Sequence, residues 1–139
     1  MKDSVTARFS GNMLFTTVVN GHELKIDASR EGGGNNEGPR PKSLMMASLA
    51  GCTGMDVVSI LRKMRVEFES FNVEVTGNIT EEHPRHYDQM HVKYILSGHD
   101  IPREKVETAV SLSQEKYCGV SYSYKQAMKV THEIVIIEK

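Results

Sequence analysis

Cysteine is nearly absent from this chain: its 139 residues carry two, Cys52 and Cys118. So few, so far apart, exclude a disulfide framework, and nothing around either resembles a metal-binding knuckle. An excess of charge of one sign is also missing. The 17 basic and 18 acidic residues leave a formal charge of −1, which argues against the clustered basic footprint of a nucleic-acid binder. The opening Met1-Lys2-Asp3-Ser4-Val5-Thr6 has neither an apolar core nor a small-residue cleavage site, so no signal peptide is expected. The longest apolar stretch, Leu44 to Leu61, is interrupted by Ser48, Thr53, Asp56 and Ser59. An aspartate is costly in hydrocarbon, so this stretch reads as a buried core helix and no membrane partner is expected. Repeats are lacking too, and the length suits a single domain over 1–139 with a core that needs no staples. These absences point to the cytoplasm, where structural disulfides are rare. The two cysteines are then a bridge, two unrelated thiols, or a reactive couple in which one does chemistry and the other resolves it.

The order of elements is legible in the patterning. Three short alternating segments, about 4–10, 14–20 and 23–28, are separated by Gly11-Asn12 and Asn20-Gly21, which predicts an antiparallel meander. The run Glu31-Gly32-Gly33-Gly34-Asn35-Asn36-Glu37-Gly38 is too rich in glycine for regular structure and reads as a mobile connector. It lacks the Gly-Lys-Ser/Thr ending of a phosphate loop. Pro41 suits the first turn of a helix running to about Arg65, closed by cations that favour its C-terminal dipole. That helix is apolar nearly all round, and Ala47, Ala50, Gly51 and Gly54 form a small-residue strip along it. So short a chain does not cover such a helix alone, which predicts a homodimer. Strands follow at about 70–80 and 87–97, each with one wet face. A second helix opens at Asp100, taken as an acidic cap, and buries Val106, Ala109, Val110, Ser113 and Tyr117. It ends at Cys118-Gly119, and a last strand spans about 130–137. The reading is βββ-α-ββ-α-β, an α+β domain with antiparallel sheets packed on a long central helix.

Gly38-Pro39-Arg40-Pro41-Lys42-Ser43-Leu44, then Ala47-Ser48-Leu49-Ala50-Gly51-Cys52, then Tyr117-Cys118, resemble the OsmC/Ohr family, the osmotically inducible and organic-hydroperoxide-resistance proteins. The resemblance covers nearly the whole chain and the order of elements. It implies an intertwined homodimer with two thiols per chain at the interface, reducing organic hydroperoxides. It implies no cofactor, and a dithiol reductant of the lipoyl-protein or thioredoxin type. By that likeness Cys52 matches the peroxidatic cysteine and Cys118 the resolving one. Leu44, Leu49 and Met55, with Met45, are expected to supply an apolar surround for the substrate. The better-known peroxidases of the family carry a glutamate in a Pro-Glu-x-Leu segment and an arginine from the first hairpin. Here Lys42 stands at the glutamate's place and Arg8 has the wrong register, so the chain resembles a more divergent OsmC-like branch. Arg40 becomes the candidate for the missing arginine, contributed in trans by a neighbouring subunit.

Asp56 lies one turn after Cys52, and a carboxylate there opposes thiolate formation, so it is expected to bond elsewhere. The cluster Glu81-Glu82-His83 with His86 lies in an exposed turn, and His91 and His22 stand apart from it. No spacing supplies the converging ligands that zinc requires, so no metal site is expected. A reading from another class also fits: a non-catalytic dimeric module holding a small apolar ligand in the same cleft, with incidental or regulatory thiols.

Overall fold

The computed structural model describes every residue, Met1–Lys139. The chain divides into two units, Met1–Met45 and Met46–Lys139.

In the first unit, β1 (Ala7–Phe9), β2 (Phe15–Val19) and β3 (His22–Ile26) form an antiparallel meander. Asn20 and Gly21 both adopt positive φ, 51° and 83°, and Val19 pairs with His22 across them. This is the two-residue turn whose twist matches that of the strands it joins. The glycine-rich segment departs from its expectation: it is a built loop, folded around Asp27. The buried Asp27 carboxylate accepts from the N–H groups of Ala28 (2.8 Å), Asn35 (3.2 Å) and Glu37 (3.0 Å). These bonds, that to Glu37 foremost, hold its pKa below the usual carboxylate value. A Cβ at Gly34 or Gly38 would run into the backbone carbonyl of Ala28 or Lys25, so glycine is required there for close approach.

Helix α1 (Pro41–Lys63) starts at the predicted proline and carries Arg62 and Lys63 in its last turn. Arg65, at φ 59°, marks the stop two residues later. Its buried positions are Leu49, Thr53, Val57 and Leu61, one stripe at four-residue spacing. By length and composition alone α1 could cross a membrane. This stripe instead packs inside the protein, and Thr53 in it is hydrogen-bonded to Tyr94 and Ser113.

In the second unit, β4 (Ser70–Ile79), β5 (Tyr87–Gly98) and β6 (Lys129–Glu138) form one sheet in that order. β4 and β5 pair antiparallel as predicted. β6 instead runs parallel to β5, so this sheet is mixed. The reason lies in the connection: a crossover of two helices returns the chain to the same end of the sheet, which a hairpin cannot do. Met90, Val92, Tyr94 and Leu96 of β5 are fully buried, the alternation read from the sequence. They share the interior with Val57 and Leu61 of α1 and with Val106, Ala109 and Val110 of α2 (Arg103–Leu112). The N-cap of α2 is Pro102, not Asp100. Asp100 is turned outward at φ 52°, its N–H donating to the Glu138 carboxylate.

The end of α2 holds the feature no periodicity predicts. Ser113–Tyr117 form a π turn, closed by the Cys118 N–H donating to the Ser113 carbonyl at 2.8 Å. A wider turn rotates the following residues off the helical stripe. Tyr117, expected to be buried, is 53% exposed, and Gln114 is buried in its place. Cys118 itself is extended (φ −77°, ψ 100°), and the chain re-enters a short helix, α3 (Gly119–Lys125). Gly119 therefore begins a helix where a helix end was expected.

Candidate functional site

The two cysteines meet within the second unit. Cys52 sits on α1, half-exposed; Cys118 lies between the π turn and α3 and is 3% exposed. Both are free thiols, and Cys118 is hydrogen-bonded to Cys52. Burial pushes the Cys118 thiol up to about 11, and the bond to Cys52 and the negative charge of Asp56 push the same way. One bond opposes them: the Ser121 N–H donates to Cys118 Sγ at 3.3 Å, making Cys118 the N-cap of α3. The pair is thus unequal, with an accessible sulfur beside a buried, protonated one.

Behind the thiols runs a continuous chain of polar side chains. Ser113 Oγ donates to Asp56 Oδ2 (2.9 Å), and lies 2.7 Å from Thr53 Oγ1. Thr53 Oγ1 lies 2.7 Å from the Tyr94 hydroxyl, to which Gln114 Nε2 donates at 2.6 Å. Ser121 Oγ donates to Gln114 Oε1 at 2.9 Å. The proton directions follow from the ends. At one end Ser113 Oγ is the donor to Asp56, and at the other an amide N–H only donates. Ser113 therefore donates to Asp56, Thr53 to Ser113, and Tyr94 to Thr53. Every buried polar side-chain atom has a partner. Such a chain polarises in one sense and specifies a single arrangement. Burial raises the Tyr94 pKa, so its hydroxyl keeps its proton. Asp56 bonds away from the sulfurs, as its position one turn from Cys52 led us to expect.

Sequence reasoning found the cysteines and Asp56 but not Thr53, Tyr94, Ser113, Gln114 or Ser121 as members of one cluster. A signal existed for Ser113 and Tyr94, polar groups at positions the periodicity assigned to the core. Gln114 carried the same signal, four residues after Val110 and eight after Val106 at helical spacing, and was not placed on the stripe. Leu49 is fully buried in the core, while Met55 is 75% exposed. The buried stripe of α1 runs through Leu49. Leu44 is half-buried in the first unit. Arg40, in the same unit, is committed to the loop: its guanidinium donates to the Asp27 carbonyl (3.3 Å) and to Asn36 Oδ1.

An apolar groove of about 780 Å³ runs along α1 and β4, lined among others by Gly51, Gly54, Met55, Phe71 and Val73. It follows the small-residue strip. His83 and His86 gather no ligand set, and His91 is engaged with Thr131 (2.7 Å) and Glu133 (3.0 Å). His99, Asp100 and Glu138 do approach one another, but all three are exposed and pair among themselves.

Comparison with known proteins agrees with this architecture. The model of the family described as OsmC-like protein matches residues 33–133. Protein YhfA of Escherichia coli is 32% identical over 119 residues, 86% of each chain. A hypothetical protein of Aquifex aeolicus has a similar crystal structure, with a TM-score of 0.87 at 26% identity over 100% of this chain and 98% of that one. The organic hydroperoxide resistance protein OhrB of Bacillus subtilis shares the fold, with a TM-score of 0.64 at 19% identity over 96% and 98%.

Proposed function

Since the chain belongs to the OsmC-like family, we propose that it is a thiol-dependent peroxidase of organic hydroperoxides, with Cys52 as nucleophile and Cys118 as resolving thiol. The observation that carries this reading is the unequal, hydrogen-bonded pair. The Cys52 thiolate attacks the terminal oxygen of the hydroperoxide, the O–O bond breaks, and the alkoxide leaves as an alcohol after taking a proton. Cys52 becomes a sulfenic acid. The Cys118 sulfur then attacks the Cys52 sulfur; the hydroxyl departs as water with the Cys118 proton, and a disulfide remains. A dithiol reductant of lipoyl or thioredoxin type restores both thiols by exchange and is itself oxidised. A buried, protonated Cys118 suits the second role: it does not compete for peroxide, yet stands beside the sulfur it must reach.

The protein is further proposed to be a cytoplasmic homodimer acting as one OsmC-like domain, with the groove along α1 and β4 covered by the second copy. Gly51 has nothing within 4 Å of where a Cβ would stand, and Met55 beside it projects outward. The same groove favours the second reading, a binding module for a small apolar molecule, whose thiols take no part.

The deciding experiment treats the reduced protein with one equivalent of cumene hydroperoxide and follows both thiols by mass spectrometry. Wild type is expected to form an internal disulfide, and Cys118→Ser to hold a sulfenic acid on Cys52. A protein that leaves both thiols reduced while binding apolar probes belongs to the second reading.

A further inference from the structure

We infer that Gln114 is the positioning residue of the resolving thiol: it fixes where Cys118 stands and so how fast the disulfide closes. The inference rests on the peroxidase reading for its biological meaning but on geometry for its content. Gln114 occupies the π turn immediately before Cys118 and is 5% exposed. Its polar atoms reach two elements, one of them twice. Nε2 holds Tyr94 of β5 (2.6 Å), Oε1 holds Ser121 of α3 (2.9 Å), and its carbonyl accepts from Lys125 Nζ (2.8 Å). Ser121 in turn supplies the only N–H that bonds the Cys118 sulfur. The sulfur is therefore located by a path Tyr94–Gln114–Ser121–Cys118. The far end of that path, Tyr94, bonds Thr53, the residue next to Cys52. The Tyr94 hydroxyl thus ties both cysteine-bearing segments to one strand.

The two partners explain why this requires glutamine at this position. A regular α-helix continued through 113–117 would return Tyr117 to the buried stripe, whereas Gln114, four residues after Val110, lies beside that stripe at ordinary helical spacing. At that inward position an amide donates to one partner and accepts from the other. Leucine fills similar volume but bridges neither, and leaves Tyr94 and Ser121 unpaired.

Ring closure between two held groups is governed by their relative placement, and small displacements cost rate steeply. Gln114→Met and Ser121→Ala should each slow closing of the disulfide about tenfold relative to formation of the Cys52 sulfenic acid. Over-oxidation to sulfinic acid should rise by a similar factor, because the sulfenic acid waits longer for its partner. The measurement is rapid-mix quenching after cumene hydroperoxide, with mass spectrometry separating sulfenic, sulfinic and disulfide forms.

A second arm needs no peroxidase activity. Protein dithiol and oxidised glutathione exchange to protein disulfide and two reduced glutathiones, and the equilibrium constant reports how well the two sulfurs are placed. Both variants should lower that constant about tenfold. If wild type forms no sulfenic acid yet the glutathione arm shifts as stated, the peroxidase reading fails and the positioning role stands. If both variants match wild type within twofold in the glutathione arm, the inference is overturned. Should Gln114→Met not fold, Ser121→Ala, which removes a single oxygen, decides the matter by the same two readouts. A role confined to stability lowers the melting temperature and leaves both ratios unmoved.

Discussion

Thr53 and Tyr94 stand 41 positions apart in the chain and share a hydroxyl hydrogen bond of 2.7 Å inside the second unit. Thr53 follows Cys52 directly, so this contact anchors the peptide that bears the accessible thiol to the central strand β5. Tyr94→Phe keeps the ring and removes only the bridging oxygen. Gln114 Nε2 and Thr53 Oγ1 then each lose a partner in a place water does not reach. Leaving buried polar groups unmade costs about 1–3 kcal/mol. Urea unfolding of Tyr94→Phe should show a loss in that range at an unchanged m-value. A change within about 0.5 kcal/mol, the ordinary spread for surface substitutions, would mean that the chain of hydroxyls adds nothing to stability.

The second prediction concerns Cys118 and alkali. Its thiol is pushed up to about 11, chiefly by burial. The folded protein therefore favours the protonated thiol more than the unfolded chain does. That preference stabilises the fold fully below the ordinary thiol value of 9.0 and is lost as pH rises toward about 11. At neutral pH iodoacetamide should modify Cys52 first, with Cys118 following only in alkaline solution. Asp56→Asn removes one of the charges that raise the value, so the Cys118 titration, read by thiolate absorbance in a Cys52→Ser background, should move downward. An upward shift would contradict the electrostatic account of the pair.

The third concerns acid and the loop around Asp27. A carboxylate whose pKa is lowered in the folded state stabilises that state above its ordinary value. The contribution disappears as pH falls through the folded pKa. The loop should hold together at neutral pH and open in acid below the usual carboxylate range. Amide exchange at Asn35 and Glu37, whose N–H groups bond this carboxylate, reports the opening residue by residue. Asp27→Ala should expose both amides at every pH. Protection that survives full protonation of Asp27 would show that the glycines, not the carboxylate, fold the loop.

Much of this architecture is legible in the sequence because it rests on local rules. Asn20-Gly21 supplies the two positive φ values a tight hairpin needs, and Pro41 opens the helix it was expected to open. The alternation through Met90, Val92, Tyr94 and Leu96 marks a strand with one buried face. Pairing direction is not a local property, so β6 running parallel to β5 was not to be read from its residues. Nor was the π turn, which no periodicity in 113–117 marks. The candidate site divides the same way. Cys52 and Cys118 stand out by rarity and by family resemblance, whereas Thr53, Gln114 and Ser121 are ordinary polar residues until the fold brings them together. Asp27 was overlooked because its partners are backbone N–H groups, which every sequence offers equally.

The last prediction concerns the proposed dimer, and it turns on two glycines that the sequence treats alike. A Cβ at Gly54 would lie 3.4 Å from Val73 Cγ2, so a larger side chain there presses on β4 of its own chain. Loss of a dimer in a Gly54 variant would then be ambiguous. Gly51 is different: nothing stands within 4 Å of its Cβ position. A glycine inside a helix costs about 1 kcal/mol against alanine, so Gly51→Leu should not weaken the isolated chain. A second copy packed on the strip would instead meet a bulky side chain where two backbones approach closely. Overpacking of a fitted contact costs about 1–3 kcal/mol, felt once in each copy across a two-fold axis. Sedimentation of Gly51→Leu should accordingly show a weakened dimer and a folded monomer at concentrations where wild type stays associated. A dimer as tight as wild type would place the interface elsewhere and leave the groove along α1 and β4 open for a ligand.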